Sequence, residues 1–391
     1  MALSQETKCV HLEKTSTDGC SKAGGILPCS HYGAVSFPIY QTATYAHPGV
    51  GQSTGFDYSR LQNPTREHLE KVLAQLENGI DALAMSSGMA AISLLMELFS
   101  PGDHIIADSD LYGGSIRLFD NVSAKNGISF TRVNCSQTEL EPLIKPETKA
   151  IYIETPTNPM MNVTDIQKTA QIAKKHNLLL IVDNTFMSPY LQNPLTLGAD
   201  IVVHSGTKYL AGHNDTLAGF IVTNRTDIQE KLRFLIKTTG AGLSPFDSWL
   251  TLRGLKTLAI RIEKSQENAI KIVQWLKTQK NVTNVIYPGL PEHPGYEIQK
   301  KQAHGFGAMV TFNVTDEAKA KSILNKVRLI QFAESLGGVE SLITYPVTQT
   351  HADVPEEIRQ KNGITTTTLR LSVGIESADD LIKDLEQALN G

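Results

Sequence analysis

The 391-residue chain is poor in several features that define whole classes of protein. It has four cysteines and two tryptophans, and aromatic residues make up 6% of it. The cysteines (Cys9, Cys20, Cys29 and Cys135) show no C-x-x-C spacing, which argues against a zinc centre or a redox pair. We therefore expect free thiols, as in proteins of a reducing compartment.

Long apolar runs and an excess of one charge are missing as well. No stretch approaches the roughly 20 apolar residues of a membrane-spanning helix, and the N-terminus lacks the apolar core of a signal peptide. Lys plus Arg number 36 against 40 Asp plus Glu, so the chain has no basic field that would attract nucleic acid. We expect a cytoplasmic protein with a small-molecule partner, and neither a nucleic acid nor a membrane as partner.

The composition that remains, 41% hydrophobic and 19% charged, is typical of a folded globular protein. Asn63-Pro64 is a helix-starting pair, and Leu69, Val72 and Leu73 continue it as one apolar stripe at helical spacing. Short apolar runs follow along the chain, separated by segments of helical periodicity such as 165–176; the runs lie at 82–85, 104–107, 150–154, 178–183 and 201–204. Runs that are apolar on both faces predict buried parallel strands, and hence an α/β fold with a mostly parallel sheet flanked by helices.

The texture of the sequence changes twice, which suggests three regions. Residues 1–60 show neither helical nor strand periodicity, yet residues 34–40 are too apolar to be fully exposed to solvent. We therefore expect an N-terminal arm that packs on a neighbouring subunit. Residues 61–245 should form the α/β domain. From 246 to 391 a long helical stretch from Trp249 to Trp275 leads into strands at 308–312 and 368–373, which predicts a smaller C-terminal α+β domain.

Two charged residues come directly after apolar runs, where ligands collect in open parallel sheets. Asp183 closes one run, and Lys208 follows another within a loop of small residues. Alone, such an Asp often only caps the next element, and most lysines are solvated. Together they match the needs of pyridoxal phosphate, whose aldehyde takes a desolvated lysine amine and whose ring nitrogen takes a carboxylate.

A phosphate site is also indicated. The small residues 86–90 mark a strand-to-helix turn around Gly88, where backbone N–H groups can approach an anion, although a plain tight turn is an equal interpretation. Ser205 and Thr207 offer hydroxyl groups. Tyr58 and Arg60 offer a phenol and a bidentate guanidinium.

Residues 200–214 (DIVVHSGTKYLAGHN) resemble the lysine signature of the trans-sulfuration, or cysteine and methionine metabolism, family of pyridoxal-phosphate enzymes. The motifs 58–60 (YSR), 63–66 (NPTR), 154–159 (ETPTNP), 182–186 (VDNTF) and 334–338 (ESLGG) extend the resemblance from about residue 33 to the C-terminus. It implies the fold of the fold-type I pyridoxal-phosphate transferases. It also implies a homotetramer, built as a dimer of dimers, in which subunits share active sites.

The resemblance implies three catalytic residues: Lys208 bonds to the cofactor and moves protons, Asp183 pairs with the ring nitrogen, and Tyr112 stacks on the ring and exchanges a proton with the leaving thiol. The residues implied to hold the phosphate are Gly88, Met89, Ser205 and Thr207, with Tyr58 and Arg60 reaching in from a neighbouring subunit. Asn158 is implied to lie near the ring hydroxyl. Arg370 and Ser335 are implied to fix the substrate carboxylate.

Three positions bear on the reaction within the family. Gly114 stands where methionine γ-lyases generally carry cysteine, which argues against that branch. Glu334 resembles the acid at the pocket mouth of γ-acting cystathionine enzymes, and Asp57 resembles cystathionine γ-synthases more than γ-lyases. We expect a carbon–sulfur enzyme of the cystathionine γ-lyase or γ-synthase type. Cystathionine β-lyase is the alternative, methionine γ-lyase is a less favoured one, and the direction of the γ reaction stays open.

Readings outside this family have less support. Ser205 and Lys208 satisfy the S-x-x-K pattern of serine acyl-transfer enzymes, but the companion S-D-N and K-T-G motifs are absent. The glycines near 240 and 305 lack the full dinucleotide fingerprint. The histidines lack the spacing of a metal site, so we expect no metal. An aminotransferase shares the cofactor, but not the lysine signature.

Overall fold

A computed structural model describes residues 3–11 and 34–390 of the chain. Its helices are α1 (Gln5–Val10), α2 (Pro64–Leu76), α3 (Gly88–Met96), α4 (Gly113–Leu118), α5 (Ile166–Lys175), α6 (Ser188–Leu191), α7 (Thr226–Thr239), α8 (Pro245–Leu255), α9 (Leu258–Leu276), α10 (Tyr296–Gln302), α11 (Glu317–Lys326), α12 (Glu356–Lys361) and α13 (Ala378–Asn390). Its strands are β1 (Asp81–Met85), β2 (His104–Asp108), β3 (Ser129–Val133), β4 (Thr148–Glu154), β5 (Leu179–Asp183), β6 (Ile201–Ser205), β7 (Gly219–Thr223), β8 (Val282–Ile286), β9 (Met309–Val314), β10 (Gln331–Phe332), β11 (Leu342–Thr344) and β12 (Thr368–Ser372).

The larger sheet has seven strands in the order β1-β7-β6-β5-β4-β2-β3. Strands β6, β5, β4, β2 and β3 run parallel, which confirms a mostly parallel sheet. The expectation for residues 82–85 was wrong in one respect, because β1 pairs antiparallel with β7. β7 was not predicted, and it pairs antiparallel with β6 as well. An apolar run indicates that a strand is buried on both faces. Because parallel and antiparallel strands can be buried equally, the run does not reveal the direction of the strand.

Local sequence explains how the first long helix begins. The side chain of Asn63 accepts hydrogen bonds from the backbone N–H groups of Thr65 and Arg66, and Pro64 occupies the first turn, where its missing N–H costs nothing. The buried face of α2 contains Leu69, Val72 and Leu73 among others, as the apolar stripe predicted. The predicted helix at 165–176 is α5, capped at its start by Asp165.

The predicted helix from Trp249 to Trp275 is two helices. α8 ends at Leu255 and α9 begins at Leu258. Both leucines, on either side of the turn, are buried in the core. Gly254 lies against the main chain of Ala211, where an added Cβ would come within 2.1 Å of the carbonyl oxygen. That close approach allows α8 to pack against the loop that follows Lys208.

A second, smaller sheet follows in the C-terminal part, with the order β10-β11-β12-β9-β8. It packs with α9 and α13 around its own apolar core, which includes Ile272, Phe312 and Leu385. The fold is thus of the fold-type I transferase kind, with a large mixed sheet flanked by helices and a second, smaller sheet domain. The boundaries near 60 and 245 stay predictions.

The described part of the N-terminal region contacts its own chain. α1, which the sequence did not predict, packs against α2 and α9 and buries Cys9. Phe37 stacks on His68 of α2, with 4.2 Å between ring centroids, and the backbone N–H of Tyr40 donates to the hydroxyl oxygen of Thr65. Val35 and Ile39 in the same segment are exposed, so contact with a second subunit stays a prediction for them.

Cys9 and Cys135 are buried free thiols, whereas Cys20 and Cys29 lie outside the described residues. Among the helices of the described ranges, none combines the length and the apolar character that crossing a bilayer would need.

Candidate active site

A cavity of about 290 Å³ opens at the carboxyl ends of the parallel strands. The strands β4, β5 and β6 end there at Glu154, Asp183 and Ser205, and the loop after β2 brings in Tyr112. The second sheet closes the cavity from the other side with Ser335 and Arg370, among others. The cavity collects most of the predicted site residues, namely Gly88, Met89, Tyr112, Asn158, Asp183, Ser205, Thr207, Lys208, Glu334, Ser335 and Arg370.

Lys208 lies in the turn after β6, and its amine donates to the hydroxyl oxygen of Ser335 at 2.9 Å. Burial and, to a lesser extent, the positive charge of Arg370 lower the pKa of Lys208 from 10.5 to about 8, while Glu334 opposes the change. A lysine with such a pKa supplies free amine near neutral pH, so this side chain can act as a nucleophile and as a proton acceptor.

Asp183 and Glu154 form a buried carboxyl pair in the floor of the cavity. They face each other as register partners on the parallel strands β5 and β4. A carboxyl oxygen of Asp183 accepts from the backbone N–H of Thr185 at 3.0 Å, and Glu154 accepts from the backbone N–H of Tyr112 at 2.9 Å. Burial raises the pKa of both carboxyl groups, and the charge of Asp183 raises that of Glu154 further.

The turn between β1 and α3 is shaped as an anion cradle. Ser87 caps α3 by accepting from the backbone N–H of Ala90. Two glycines bring the turn close to the neighbouring strands: a Cβ on Gly88 would lie 2.9 Å from Cβ of Ser205, and a Cβ on Gly219 would lie 1.9 Å from the carbonyl oxygen of Ser87. The N-terminus of α3 therefore faces the cavity beside Ser205.

Thr207 and Ser205 have further local contacts. The hydroxyl oxygen of Thr207 accepts from the backbone N–H of Ala218 at 3.1 Å, which fixes this side chain beside β7. The backbone N–H of Ser205 donates to the hydroxyl oxygen of Thr185 at 2.8 Å, so the end of β6 is tied to the loop that carries Asp183.

Arg370 is a buried cation on β12, only 1% exposed. It donates to the side-chain oxygen of Asn158 at 2.8 Å, to the carbonyl oxygen of Ser335 at 2.9 Å and to the hydroxyl of Thr344 at 3.1 Å. Its Nε has no hydrogen-bond partner, and no carboxylate of the described residues pairs with it. Burial lowers the pKa of Arg370 to about 10. A buried guanidinium without a counter-charge is suited to bind a ligand carboxylate.

Tyr112 precedes α4 and is 39% exposed at the cavity wall. Its ring lies over Gly114, where an added Cβ would come within 2.5 Å of Cε1 of the ring and within 3.0 Å of Sδ of Met89. Gly114 therefore leaves room for the position that Tyr112 adopts.

Three predicted site residues, Asp57, Tyr58 and Arg60, lie outside this cavity. Arg60 donates to the carbonyl oxygen of Lys237 at 2.5 Å, and its guanidinium lies 5.5 Å from the ring centre of Tyr58. Asp57 accepts from the hydroxyl of Ser53 at 2.7 Å. Their contribution to the site of a neighbouring subunit stays a prediction.

Sequence reasoning missed several cavity residues: Ile92, Glu154, Thr185, Phe186, Leu217, Leu336 and Thr350. Glu154 and Thr185 stood within the motifs 154–159 and 182–186, so their position at strand ends was a usable signal. Thr350 had no such signal, because its backbone reaches the site by packing against Gly113 from the C-terminal part of the chain.

Comparison with known proteins agrees with the site. Residues 24–390 match the family described as Cys/Met metabolism PLP-dependent enzyme. A cystathionine β-lyase of Lactococcus lactis is 50% identical over 367 residues (94% of this chain and 97% of that one), and a cystathionine γ-synthase of Haemophilus influenzae is 51% identical over 358 residues (91% and 93%). The crystal structure of a cystathionine γ-lyase from Lactobacillus plantarum in complex with L-serine aligns with a TM-score of 0.93 at 44% identity, covering 99% of both chains.

The chain belongs to the Cys/Met metabolism family of pyridoxal-phosphate enzymes. The residues present fit the cofactor. Lys208 provides an amine with a lowered pKa for the aldehyde, Asp183 provides a carboxyl group at the floor, and the turn at Gly88 provides an anion cradle. In the described ranges, no group of His, Cys, Asp and Glu side chains is arranged to hold a metal ion.

Proposed function

We propose that this enzyme acts on cystathionine at the γ carbon, as a γ-lyase or γ-synthase. The observation that carries the choice of cystathionine is the acidic mouth of the site. A depression of about 990 Å³ adjoins the cavity and shares Glu334 with it. Asp215, Asp247 and Glu340 also line it, and the described residues that line it include no lysine or arginine. An acidic mouth favours a substrate with a second ammonium group beyond the sulfur, which cystathionine has and methionine lacks.

The proposed roles follow from position. Arg370 binds the substrate carboxylate, and Ser335 helps to orient it. Nζ of Lys208 accepts the α-proton and, for γ chemistry, moves a second proton at the β carbon. Asp183 would hold the proton of the ring nitrogen of the bound cofactor, and Tyr112 would exchange a proton with the leaving sulfur. When bound, pyridoxal phosphate supplies the electron sink that makes these proton transfers possible.

Cleavage at the β carbon is the second candidate, because a relative named cystathionine β-lyase is 50% identical to this chain. β-Elimination needs the α-proton and one acid for the leaving thiol, whereas γ chemistry needs the additional proton transfer at the β carbon. Both reactions fit the acidic mouth.

One assay tests the choice. Purified holoenzyme is given cystathionine, methionine, or O-acetylhomoserine with cysteine, and pyruvate, 2-oxobutyrate and cystathionine are measured. 2-Oxobutyrate from cystathionine, or cystathionine from the activated homoserine, supports γ chemistry. Pyruvate from cystathionine as the main product supports the β-lyase, and a preference for methionine contradicts the proposal.

The proposal extends to a cytoplasmic homotetramer in which Tyr58 and Arg60 complete the phosphate site of a neighbouring subunit and Asp57 approaches its substrate. Two observations support this proposal: the three side chains are exposed to solvent, and none of them lines the cavity of its own subunit. We expect Arg60→Ala and Lys208→Ala subunits, each inactive alone, to recover part of the activity when refolded together, because mixed assemblies contain one intact site. Failure to recover activity in mixed tetramers would contradict shared sites.

A further inference from the structure

Glu154 was not among the predicted site residues, yet it lines the cavity beside Asp183. It is 5% exposed, ends β4, and faces Asp183 across the parallel pair of strands. Its Oε2 accepts from the backbone N–H of Tyr112 at 2.9 Å, and this contact fixes the main chain at Tyr112, directly before α4.

The surroundings of Glu154 contain too much negative charge for two ionised carboxylates. Asp183 lies opposite it, and the carboxyl groups of Asp110 and Asp108 approach from the end of β2. The charged groups on the other side are Arg370 on β12 and Lys208 after β6, but no basic side chain of the described ranges pairs directly with Glu154. Two buried like charges on neighbouring strands share one proton between them.

The contacts decide which carboxyl group keeps that proton. Asp183 accepts from the backbone N–H of Thr185, and the side-chain hydroxyl of Thr185 and the neighbouring His204 also favour its ionised form. Glu154 has one backbone donor and three carboxyl neighbours. The ionised state is therefore better supported on Asp183 than on Glu154.

We propose that Glu154 is a positioning residue that holds the proton of this pair, so that it anchors the main chain of Tyr112 as a neutral acid and leaves Asp183 as the one negative charge of the pair, available to the ring nitrogen of the cofactor. The inference rests on the pyridoxal-phosphate class of the enzyme, and is independent of whether the β or the γ carbon reacts. Burial, together with the charge of Asp183, holds the pKa of Glu154 well above its usual range, in agreement with the neutral form.

A pair of substitutions tests the charge state. Glu154→Gln keeps an oxygen that can accept from Tyr112 and mimics the neutral acid, whereas Glu154→Ala removes the acceptor. In the holoenzyme we expect Glu154→Gln to retain the wild-type cofactor dissociation constant, and Glu154→Ala to weaken it and lower kcat by about tenfold, the equivalent of one lost hydrogen bond. If Glu154→Gln loses cofactor affinity as strongly as Glu154→Ala, the carboxylate charge is needed and the proposal is wrong.

Infrared difference spectroscopy of the holoenzyme at pH 7 gives a readout that needs no activity and no folded alanine variant. We expect the wild-type spectrum to contain a carbonyl stretching band of a protonated carboxylic acid, and we expect the Glu154→Gln variant to lack this band. Asp108→Asn serves as the control, because Asp108 is another buried acid with a pKa raised to about 8 and lies outside the cavity lining. The Asp108→Asn substitution should remove a different carboxylic-acid band from the one that Glu154→Gln removes. A wild-type spectrum in which Glu154→Gln removes only a carboxylate band would overturn the proposal, whatever the substrate proves to be.

Discussion

The amine of Lys208 lies 2.9 Å from the hydroxyl oxygen of Ser335, although 127 residues separate the two in sequence. Lys208 follows the last parallel strand of the large sheet, and Ser335 precedes β11 of the smaller one. Ser335 adopts φ +98°, a left-handed conformation that costs a non-glycine residue about 1–2 kcal/mol. The hydrogen bond between Lys208 and Ser335 therefore joins the two sheet domains at the wall of the cavity, where the amine of Lys208 lies.

Reduction with borohydride tests the role of Lys208. We expect the reagent to attach the cofactor irreversibly to this lysine, because its free amine bonds to the cofactor aldehyde. Lys208→Ala should lower kcat by about 10²–10⁴-fold, the range of a lost general base. Peptide mapping and steady-state kinetics give the readouts, and Lys125→Ala, at an exposed position, serves as the control. A label on any other lysine would contradict the assignment.

The pH dependence of cofactor uptake should report the pKa of Lys208. With the pKa lowered to about 8, the free-base fraction rises as the pH increases through 8, so the rate of uptake by the apoprotein should rise over the same range. Arg370 lowers this pKa and Glu334 raises it. Arg370→Gln should therefore move the midpoint to higher pH, and Glu334→Gln to lower pH. Stopped-flow absorbance measures both midpoints, and shifts in the same direction would refute this account.

Removal of Arg370 should weaken binding of the substrate carboxylate. Charge-assisted hydrogen bonds contribute about 1.5–3 kcal/mol, so Arg370→Ala should lower kcat/KM by roughly 10- to 150-fold. Because Arg370 is buried, the melting temperature must be measured alongside the kinetics. Arg370→Lys keeps the charge, and Arg253→Ala, at an exposed position on α8, is the control. Unchanged kcat/KM in a folded Arg370→Ala protein would remove this residue from the site.

A methyl group at position 114 should displace Tyr112. The added Cβ would lie 2.5 Å from Cε1 of the ring, so Gly114→Ala forces the ring or the loop to move. Overpacking of this kind costs about 1–3 kcal/mol, and we expect a lower kcat together with reduced thermal stability. Gly49→Ala is a matched control, since its Cβ would meet only Gln52 at 3.5 Å. Full activity of Gly114→Ala would show that the position of Tyr112 does not depend on this glycine.

Neutralising Glu334 tests the acidic mouth. Glu334→Gln should raise KM for cystathionine by about fivefold, the worth of an exposed ion pair of up to 1 kcal/mol. KM for methionine, which lacks the distal ammonium, should change little. Equal effects on both substrates would mean that Glu334 does not recognise the distal amine.

Much of the fold could be predicted because local rules govern it. The cap at Asn63 and the apolar stripe of α2 predicted one helix, and the apolar runs ending at Glu154, Asp183 and His204 predicted three parallel strands. The break between α8 and α9 could not be predicted, because the apolar residues continue across it at helical spacing, whereas the packing of Gly254 against the loop after Lys208 joins residues distant in sequence. The antiparallel direction of β1 depends in the same way on its pairing with β7.

For the site, the sequence by itself determined the chemical groups: a lysine in a small-residue loop, an acid that ends a buried strand, and a turn at Gly88 that admits an anion. These are local features, since each depends on residues adjacent in the chain. Only the tertiary structure decided that Arg370 lies buried with no counter-charge among the described residues, that Glu154 faces Asp183, and that Ser335 touches Lys208. Such relations join residues distant in sequence, and they form only when strands pair and the two sheets pack together.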